Sequence, residues 1–206
     1  GTTGKFMSHN TWIHLLARTA VKPLVTSQVS PNHLTTVRLT TGLAAAGALG
    51  VGHFPWPDVG AALFIFSMLM DRADGELARQ SGKSSPKGHK YDLIADCICN
   101  ALIFVGLGAS LRDSPYGYWA ILMGIVAGIG VTAVFFMVMR LEKNQGEGAA
   151  ELQSYAKFDP DDAMLVVPIA IWCGWSTPLL LSAVIGAPVF AIIFYGIYRR
   201  RNLLSS

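Results

Sequence analysis

The sequence predicts an all-α polytopic membrane protein, and three observations support this fold class. Hydrophobic residues make up 52% of the 206 residues and charged residues only 14%. The mean hydropathy is +0.43, which is above the usual range of soluble globular domains. A membrane span needs about 20 apolar residues, and six such segments fit the chain. They lie at 32–51, 57–79, 88–111, 115–139, 160–176 and 177–198.

Almost nothing remains for a soluble domain, so we predict one membrane-embedded domain over 1–206 with a six-helix transmembrane bundle at 32–198.

The 16 lysines and arginines are distributed unevenly around this bundle. Only Arg112 falls near the connections between spans 1 and 2, 3 and 4, or 5 and 6. By the positive-inside rule, both termini and the opposite connections face the cytoplasm. We therefore expect an integral protein of a bacterial or archaeal-type cytoplasmic membrane, and the net charge of +3 gives no support for a nucleic-acid partner.

A polar segment precedes the first span. Residues 10–25 place Trp12 and Leu16 on one helical face, with Arg18 and Lys22 off it. This segment is too short and too charged to span a bilayer, and it predicts an interfacial amphipathic helix. Span 1 then begins at Ser30 and Pro31, which suit a helix cap and a first turn.

Span 4 contains Gly124-x-x-x-Gly128, a spacing of small residues that allows a second helix to approach closely. A homodimer seam is one interpretation of this pattern. Small residues are common in membrane helices of every kind, so the pattern by itself does not select a partner helix.

Four aspartates lie at the hydrophobic edges of the hairpin between spans 2 and 3. Asp71 and Asp74 are spaced i, i+3, and Asp92 and Asp96 are spaced i, i+4, so each pair shares one helical face. Carboxylates that converge repel one another unless they are protonated or neutralised. Hard divalent cations prefer oxygen ligands, and the pattern therefore predicts a site for one or two Mg²⁺ or Mn²⁺ ions.

The neighbouring residues indicate what such ions would hold. Gly75 and Ala78 remove side-chain bulk within about a turn of the acids, and Arg79 adds a guanidinium that suits phosphate. Protein-bound Mg²⁺ usually keeps positions for water and substrate phosphates. The composition therefore favours a diphosphate ligand. A helix cap salt-bridged to nearby lysines and arginines would explain one or two of the acids, but not all four.

The complete motif is Asp71-x2-Asp74-Gly75-x2-Ala78-Arg79-x8-Gly88-x3-Asp92-x3-Asp96. It resembles the signature of the CDP-alcohol phosphotransferase (CDP-alcohol phosphatidyltransferase) family. The six predicted spans and the interfacial helix also resemble that family, so the similarity covers most of the chain.

The resemblance implies transfer of a substituted phosphate group from a CDP-linked donor to an alcohol hydroxyl, with release of CMP. The implied metal ligands are Asp71, Asp74, Asp92 and Asp96. Asp96 is also implied as the general base that takes the proton of the acceptor hydroxyl. The implied donor-binding residues are Gly75, Ala78, Arg79, Gly88, Pro31, Asn32 and Thr35, although a plain helix cap explains Pro31 and Asn32 almost as well.

The acceptor alcohol stays open. Family members with phosphorylated acceptors often carry Lys or Arg directly after the last aspartate, whereas this chain has Cys97, which weakens a glycerol-phosphate interpretation. Candidate acceptor contacts are Arg140, Lys143, Lys157, Asp159, Asp161 and Asp162. Ordinary positive-inside residues and helix-capping acids explain the same positions.

Three functions remain as hypotheses. The first uses CDP-diacylglycerol and a water-soluble alcohol in phospholipid biosynthesis. The second uses a soluble donor, such as CDP-inositol, CDP-choline or CDP-ethanolamine, with a lipid or polyol acceptor. A divalent-cation transporter is a distant third, because a pore needs polar groups through the bilayer and spans 2, 3 and 4 are apolar beyond the hairpin.

Overall fold

A computed structural model describes residues 19, 21–25, 27–83, 85–144 and 163–204, and all regular structure in them is helical. The predicted all-α class is therefore confirmed for these residues. After a short helical segment at 21–25, six helices follow in chain order. They are α1 (Pro31–Val51), α2 (Trp56–Ser81), α3 (Pro86–Ser110), α4 (Trp119–Asn144), α5 (Val166–Trp172) and α6 (Ser176–Leu204).

Four segments are long and apolar enough to cross a membrane, as expected for an integral membrane protein. They are Pro31–Val51, Pro86–Ser110, Trp119–Met137 and Ser176–Ile193. Six spans are not confirmed. The helix α2 has 26 residues, which is long enough to cross a bilayer, but its last turns carry the charged residues of the hairpin. It is not among the four apolar segments.

The predicted span at 160–176 differs most from the structure. Its first residues, 160–162, lie outside the described part of the chain, and α5 has only 7 residues. At 1.5 Å per residue, α5 is about 10 Å long, whereas the hydrocarbon core is about 30 Å thick. Thus α5 is too short to cross a bilayer.

The predicted interfacial helix at 10–25 lies mostly outside the described residues. Its described end, the helical segment at 21–25, is anchored by Val21, which is buried against Ala73 and Leu77 of α2. The chain before α1 therefore packs beneath the polar end of α2. An amphipathic helix over the whole predicted length is not confirmed.

The helix α1 packs along both α2 and α3, α3 packs along α4, and α4 packs along α6. The apolar core between them contains Leu49 of α1, Phe64 of α2, and Ile103 and Leu107 of α3, all of which are fully buried. This core lies on the side of the bundle away from the aspartates, so the acids occupy one end of a packed apolar interior.

The isolated arginine on the far side of the bundle caps a helix. Arg112 donates to the carbonyl oxygens of Gly50 (2.5 Å) and Val51 (2.8 Å) at the carboxyl end of α1. These carbonyls have no partner within their own helix. Arg112 therefore joins the far ends of α1 and α3.

The two glycines of the span 4 motif face α3 of the same chain. A Cβ atom on Gly128 would lie 2.5 Å from the backbone oxygen of Ala101, and one on Gly124 would overlap the backbone oxygen of Phe104. The close approach predicted from the motif is therefore made within the bundle. A homodimer through this seam is not shown.

Gly124→Leu is expected to lower the apparent melting temperature strongly, because a helix backbone cannot move aside as a side chain can. Overpacking of this kind costs about 1–3 kcal/mol or more. Gly186→Leu in α6 is a matched control, since a Cβ there meets no atom within 4 Å. Melting temperatures and sizes in detergent would be compared. Equal melting temperatures, with a change of oligomeric state only for Gly124→Leu, would contradict this packing.

Candidate active site

Three of the four aspartates predicted to converge lie close together, where the end of α2 meets the start of α3. Asp71, Asp74 and Asp92 each offer an oxygen atom, and the three oxygens lie within 4.8 Å of one another. Asp74 is buried, and the other two are partly buried. The structure therefore brings together three of the four predicted metal ligands on two helices.

Arg38 of α1 lies among these acids. Its guanidinium is 2.9 Å from an Asp71 oxygen and 3.5 Å from an Asp92 oxygen, and it forms a third ion pair with Asp96. The arginine side chain is only 5% exposed, so water screens these charges weakly. Arg38 is therefore the central counter-ion of the acidic cluster and connects α1 to both arms of the hairpin.

Asp96 occupies a different place from the other three acids. It lies one turn deeper in α3 than Asp92 and pairs with the second terminal nitrogen of Arg38. It is not a member of the group whose oxygens lie within 4.8 Å of one another. Its carboxylate is thus held beside the predicted metal ligands by the guanidinium.

Two hydroxyl groups fix the positions of charged groups in the cluster. The Thr35 hydroxyl donates to Asp74 at 2.6 Å, and the Ser67 hydroxyl donates to the backbone oxygen of Arg38 at 2.8 Å. Both hydroxyl-bearing residues are buried. Thr35, predicted as a donor-binding residue, therefore lies beside Asp74, and its donor-binding role stays a prediction.

Thr35→Val is expected to lower Mn²⁺ affinity about 10-fold, because loss of a hydrogen bond that orients a ligand typically weakens metal binding 10- to 100-fold. Thr40→Val is the matched control, since Thr40 is exposed and its hydroxyl bonds only carbonyls of its own helix. Calorimetric or paramagnetic Mn²⁺ titrations of both variants would measure the change. Equal affinities would show that Thr35 does not orient Asp74 for a metal.

A pocket of about 150 Å³ opens beside the cluster. Most of the predicted donor-binding residues line it. The lining residues are Pro31, Asn32, Thr35, Asp74, Gly75, Ala78, Lys83, Ser85, Gly88, His89 and Asp92.

The two glycines of the pocket differ in their surroundings. Gly75 has only the flexible end of Arg79 within 4 Å of an added Cβ, so the space beside it is open. A Cβ on Gly88 would lie 2.9 Å from Asn32 Oδ1 and 3.0 Å from Ser85 Oγ. Gly88 therefore allows α3 to start close to α1, as its predicted role in close approach requires.

Other predicted site residues are not brought to this pocket. Arg79 is exposed and pairs with Glu76 at 2.8 Å, and it does not line the pocket described above. For Arg140 and Lys143 only the helix backbone of α4 is described. Lys157, Asp159, Asp161 and Asp162 lie outside the described residues.

The sequence analysis assigned no role in the site to three lining residues, Lys83, Ser85 and His89. Lys83 and His89 line the pocket, although the motif treats both as variable positions. For Arg38, one turn deeper than Thr35 on the same face of α1, the sequence predicts either an acid of the cluster or a donor phosphate as partner, and the structure shows the acids.

The donor set suits a hard divalent ion. Three carboxylates supply only oxygen ligands at mutual distances compatible with one centre, and Mg²⁺ or Mn²⁺ prefers such ligands. The net charge around Arg38 also suits a cation, because one guanidinium contacts three carboxylates. The residues present therefore fit a divalent metal.

Comparisons with known proteins agree with the geometry. The model of the family described as CDP-alcohol phosphatidyltransferase matches residues 28–192. A curated relative, the "Bifunctional IPC transferase and DIPP synthase" of Rubrobacter xylanophilus, is 39% identical over 92 residues. The match covers 44% of this chain and 19% of that relative, so this chain corresponds to a minor part of the relative's length.

Proposed function

Because the chain belongs to the CDP-alcohol phosphatidyltransferase family, we propose that it transfers a substituted phosphate group from a CDP-linked donor to an alcohol hydroxyl and releases CMP. The observation that supports this proposal best is the convergence of Asp71, Asp74 and Asp92 beside a pocket lined by Gly75 and Ala78. These are the motif positions that a metal-bridged diphosphate and a cytidine would need.

Asp71, Asp74 and Asp92 would hold Mg²⁺ or Mn²⁺, and Asp96 would complete the ligands of a second ion where two are present. The bound metal would neutralise the diphosphate and stabilise the negative charge that develops on its oxygens. Gly75 and Ala78 would leave room for the nucleotide, and Lys83 at the pocket wall adds a positive charge near its phosphates.

Asp96 is proposed as the general base. Its carboxylate takes the proton of the acceptor hydroxyl while that oxygen forms a bond to the β-phosphorus of the donor. The bond between this phosphorus and the oxygen bridging to the α-phosphorus breaks, and CMP leaves with the electron pair. Arg38, which is paired with Asp96, would orient the carboxylate toward the acceptor.

We propose CDP-diacylglycerol as the donor, because the pocket lies at the end of helices that are apolar enough to meet acyl chains. The product would then belong to phospholipid biosynthesis. A soluble CDP-alcohol is the second candidate donor, because the aspartate motif does not select the group attached to the diphosphate. The motif chemistry is the same for both.

Release of CMP by the purified protein in detergent micelles would test the function. Radiolabelled CDP-diacylglycerol, CDP-inositol, CDP-choline and CDP-ethanolamine would each be supplied with Mg²⁺ or Mn²⁺ and a panel of alcohols. We expect labelled product from CDP-diacylglycerol. Product from only a soluble donor would select the second candidate. No CMP from any donor, with metal flux into liposomes that Asp71→Asn abolishes, would instead indicate a transporter.

The pocket and both termini are proposed to face the cytoplasm, because Lys83, Lys87 and Lys90 all lie at the hairpin. A cysteine introduced at the exposed Lys87 in a variant without native cysteines should react with an impermeant maleimide in inside-out vesicles but not in intact cells. The reverse pattern would invert the proposed topology.

A further inference from the structure

A buried amide lies one helical turn deeper than Asp96. Asn100 is four residues further along α3, so it shares the helical face of Asp96. It is only 7% exposed, and among the described residues its side chain has no hydrogen-bond partner. The fully buried side-chain atoms without a partner in the described residues are Arg38 Nε and Thr132 Oγ1, so the amide of Asn100 keeps part of the accessible surface of this residue. A group from a ligand would satisfy it.

The contacts on either side of Asn100 show where its side chain faces. Cys99 lies against α1, because a Cβ on Gly42 would overlap its sulfur atom, and the backbone oxygen of Ala101 lies against α4 at Gly128. Asn100 lies between these two contacts around the helix. It therefore faces the interior of the bundle, on the side where Asp96 meets Arg38.

Deeper along the same face of α3 the interior is apolar. Ile103 and Leu107 are both fully buried in the core, together with Phe64 of α2. On this face of α3, Asn100 is therefore the last polar side chain before Ile103 and Leu107 of the hydrophobic core. Asp96 and Asn100 are not among the residues that line the described pocket, so a ligand group at Asn100 would lie beyond this pocket, next to Asp96.

We propose that Asn100 forms an acceptor subsite that binds a second hydroxyl of a polyhydric alcohol whose reacting hydroxyl lies at Asp96. This inference rests on the proposed function. An asparagine amide offers two N–H donors and a carbonyl acceptor, which together suit a neutral hydroxyl. Side chains at i and i+4 have Cβ atoms about 5–6 Å apart, a separation that two nearby hydroxyls of one carbon skeleton can bridge.

The charges of the described site favour a neutral group at this position. Arg38 already contacts three carboxylates, so it is committed to the acids rather than free for a second phosphate. Cys97, directly after Asp96, adds no positive charge. The subsite therefore takes the uncharged polyol part of an acceptor, and it adds no bond-making step to the reaction.

The test replaces the amide with an apolar group of similar size. Asn100→Leu is expected to keep the KM for the CDP-linked donor and to leave the melting temperature nearly unchanged, because leucine has a similar volume. The KM for a polyol acceptor, glycerol or myo-inositol, should rise at least about 10-fold, as for loss of one to two hydrogen bonds. The activity with 1-propanol, which has one hydroxyl, should be unchanged.

Thr132→Val is the control, because it removes a buried polar group without a partner among the described residues that lies on α4 and away from Asp96. It should leave the activity with glycerol, myo-inositol and 1-propanol unchanged. Asn100→Ala provides a second variant should the leucine prevent folding. An equal loss of activity of Asn100→Leu with glycerol, myo-inositol and 1-propanol would overturn the subsite, and so would an unchanged KM for the polyols. In either case, CMP release by the unaltered protein would still support the proposed function. Absence of CMP release from the unaltered protein with every donor and acceptor would instead refute both.

Discussion

Asp96→Asn is expected to lower kcat by about 10²- to 10⁴-fold, the usual contribution of a positioned general base, while Mn²⁺ and nucleotide binding persist. An amide has nearly the shape of a carboxylate and still accepts a hydrogen bond from Arg38, but it cannot take the proton of an attacking alcohol. Asp96 also lies outside the group of three carboxylates that fits a metal. Binding and turnover should therefore separate at this residue.

Three matched variants make this prediction specific. Asp71→Asn and Asp92→Asn remove charge from the group of three and should weaken Mn²⁺ binding itself. Asp113→Asn changes an exposed acid in the connection between α3 and α4 and should alter neither property. Mn²⁺ and CDP titrations would accompany the CMP assay, with melting temperatures as a check on folding. Near-normal turnover of Asp96→Asn would disprove the assignment of the base.

The parts of the site that the sequence predicts correctly depend on local geometry. Helical periodicity alone places Asp71 with Asp74, and Asp92 with Asp96, on shared faces. The short connection between α2 and α3 places both pairs at the same end of the bundle, and the packing of both helices along α1 brings the faces together. For the same reason, composition predicts the four helical segments that are long and apolar enough to cross a membrane, because length and hydropathy follow from residues close together in the chain.

The parts that the sequence does not predict depend on contacts between distant residues. Arg38 meets acids that lie 33 to 58 positions away, a distance at which neither spacing nor composition selects a partner. The partner of the Gly124 face is likewise decided by how α3 and α4 cross. The length of α5 was also not predictable, because apolar composition at 160–176 does not distinguish a full span from a helix of 7 residues.

Arg79 illustrates a different limit of the motif. Its position in the motif implies a phosphate ligand, but its guanidinium contacts Glu76 one turn earlier in the same helix. Exposed i, i+3 pairs of this kind contribute only a few tenths of a kcal/mol. A phosphate group at the pocket would therefore compete readily with Glu76, and the implied role of Arg79 stays a prediction.

Arg38→Ala is expected to destabilise the metal-free protein by about 3–5 kcal/mol, the typical effect of removing one partner from a buried ion pair. Three carboxylates would then repel one another without the guanidinium that contacts them all. Added Mn²⁺ should restore much of the loss, because a cation bound only by the folded state shifts unfolding by mass action. Arg38→Lys keeps one positive charge and should be intermediate.

The control is Arg112→Ala, which removes an arginine of the same bundle that binds backbone carbonyls at the opposite end of α1. It should also lower the melting temperature, but Mn²⁺ should stabilise it no more than it stabilises the unaltered protein. Melting temperatures in detergent would be compared in EDTA and across a Mn²⁺ series. If Mn²⁺ raised the melting temperatures of Arg38→Ala, Arg112→Ala and the unaltered protein equally, the metal would not replace Arg38 in neutralising the acids. The guanidinium would then serve only to hold α1 against the hairpin.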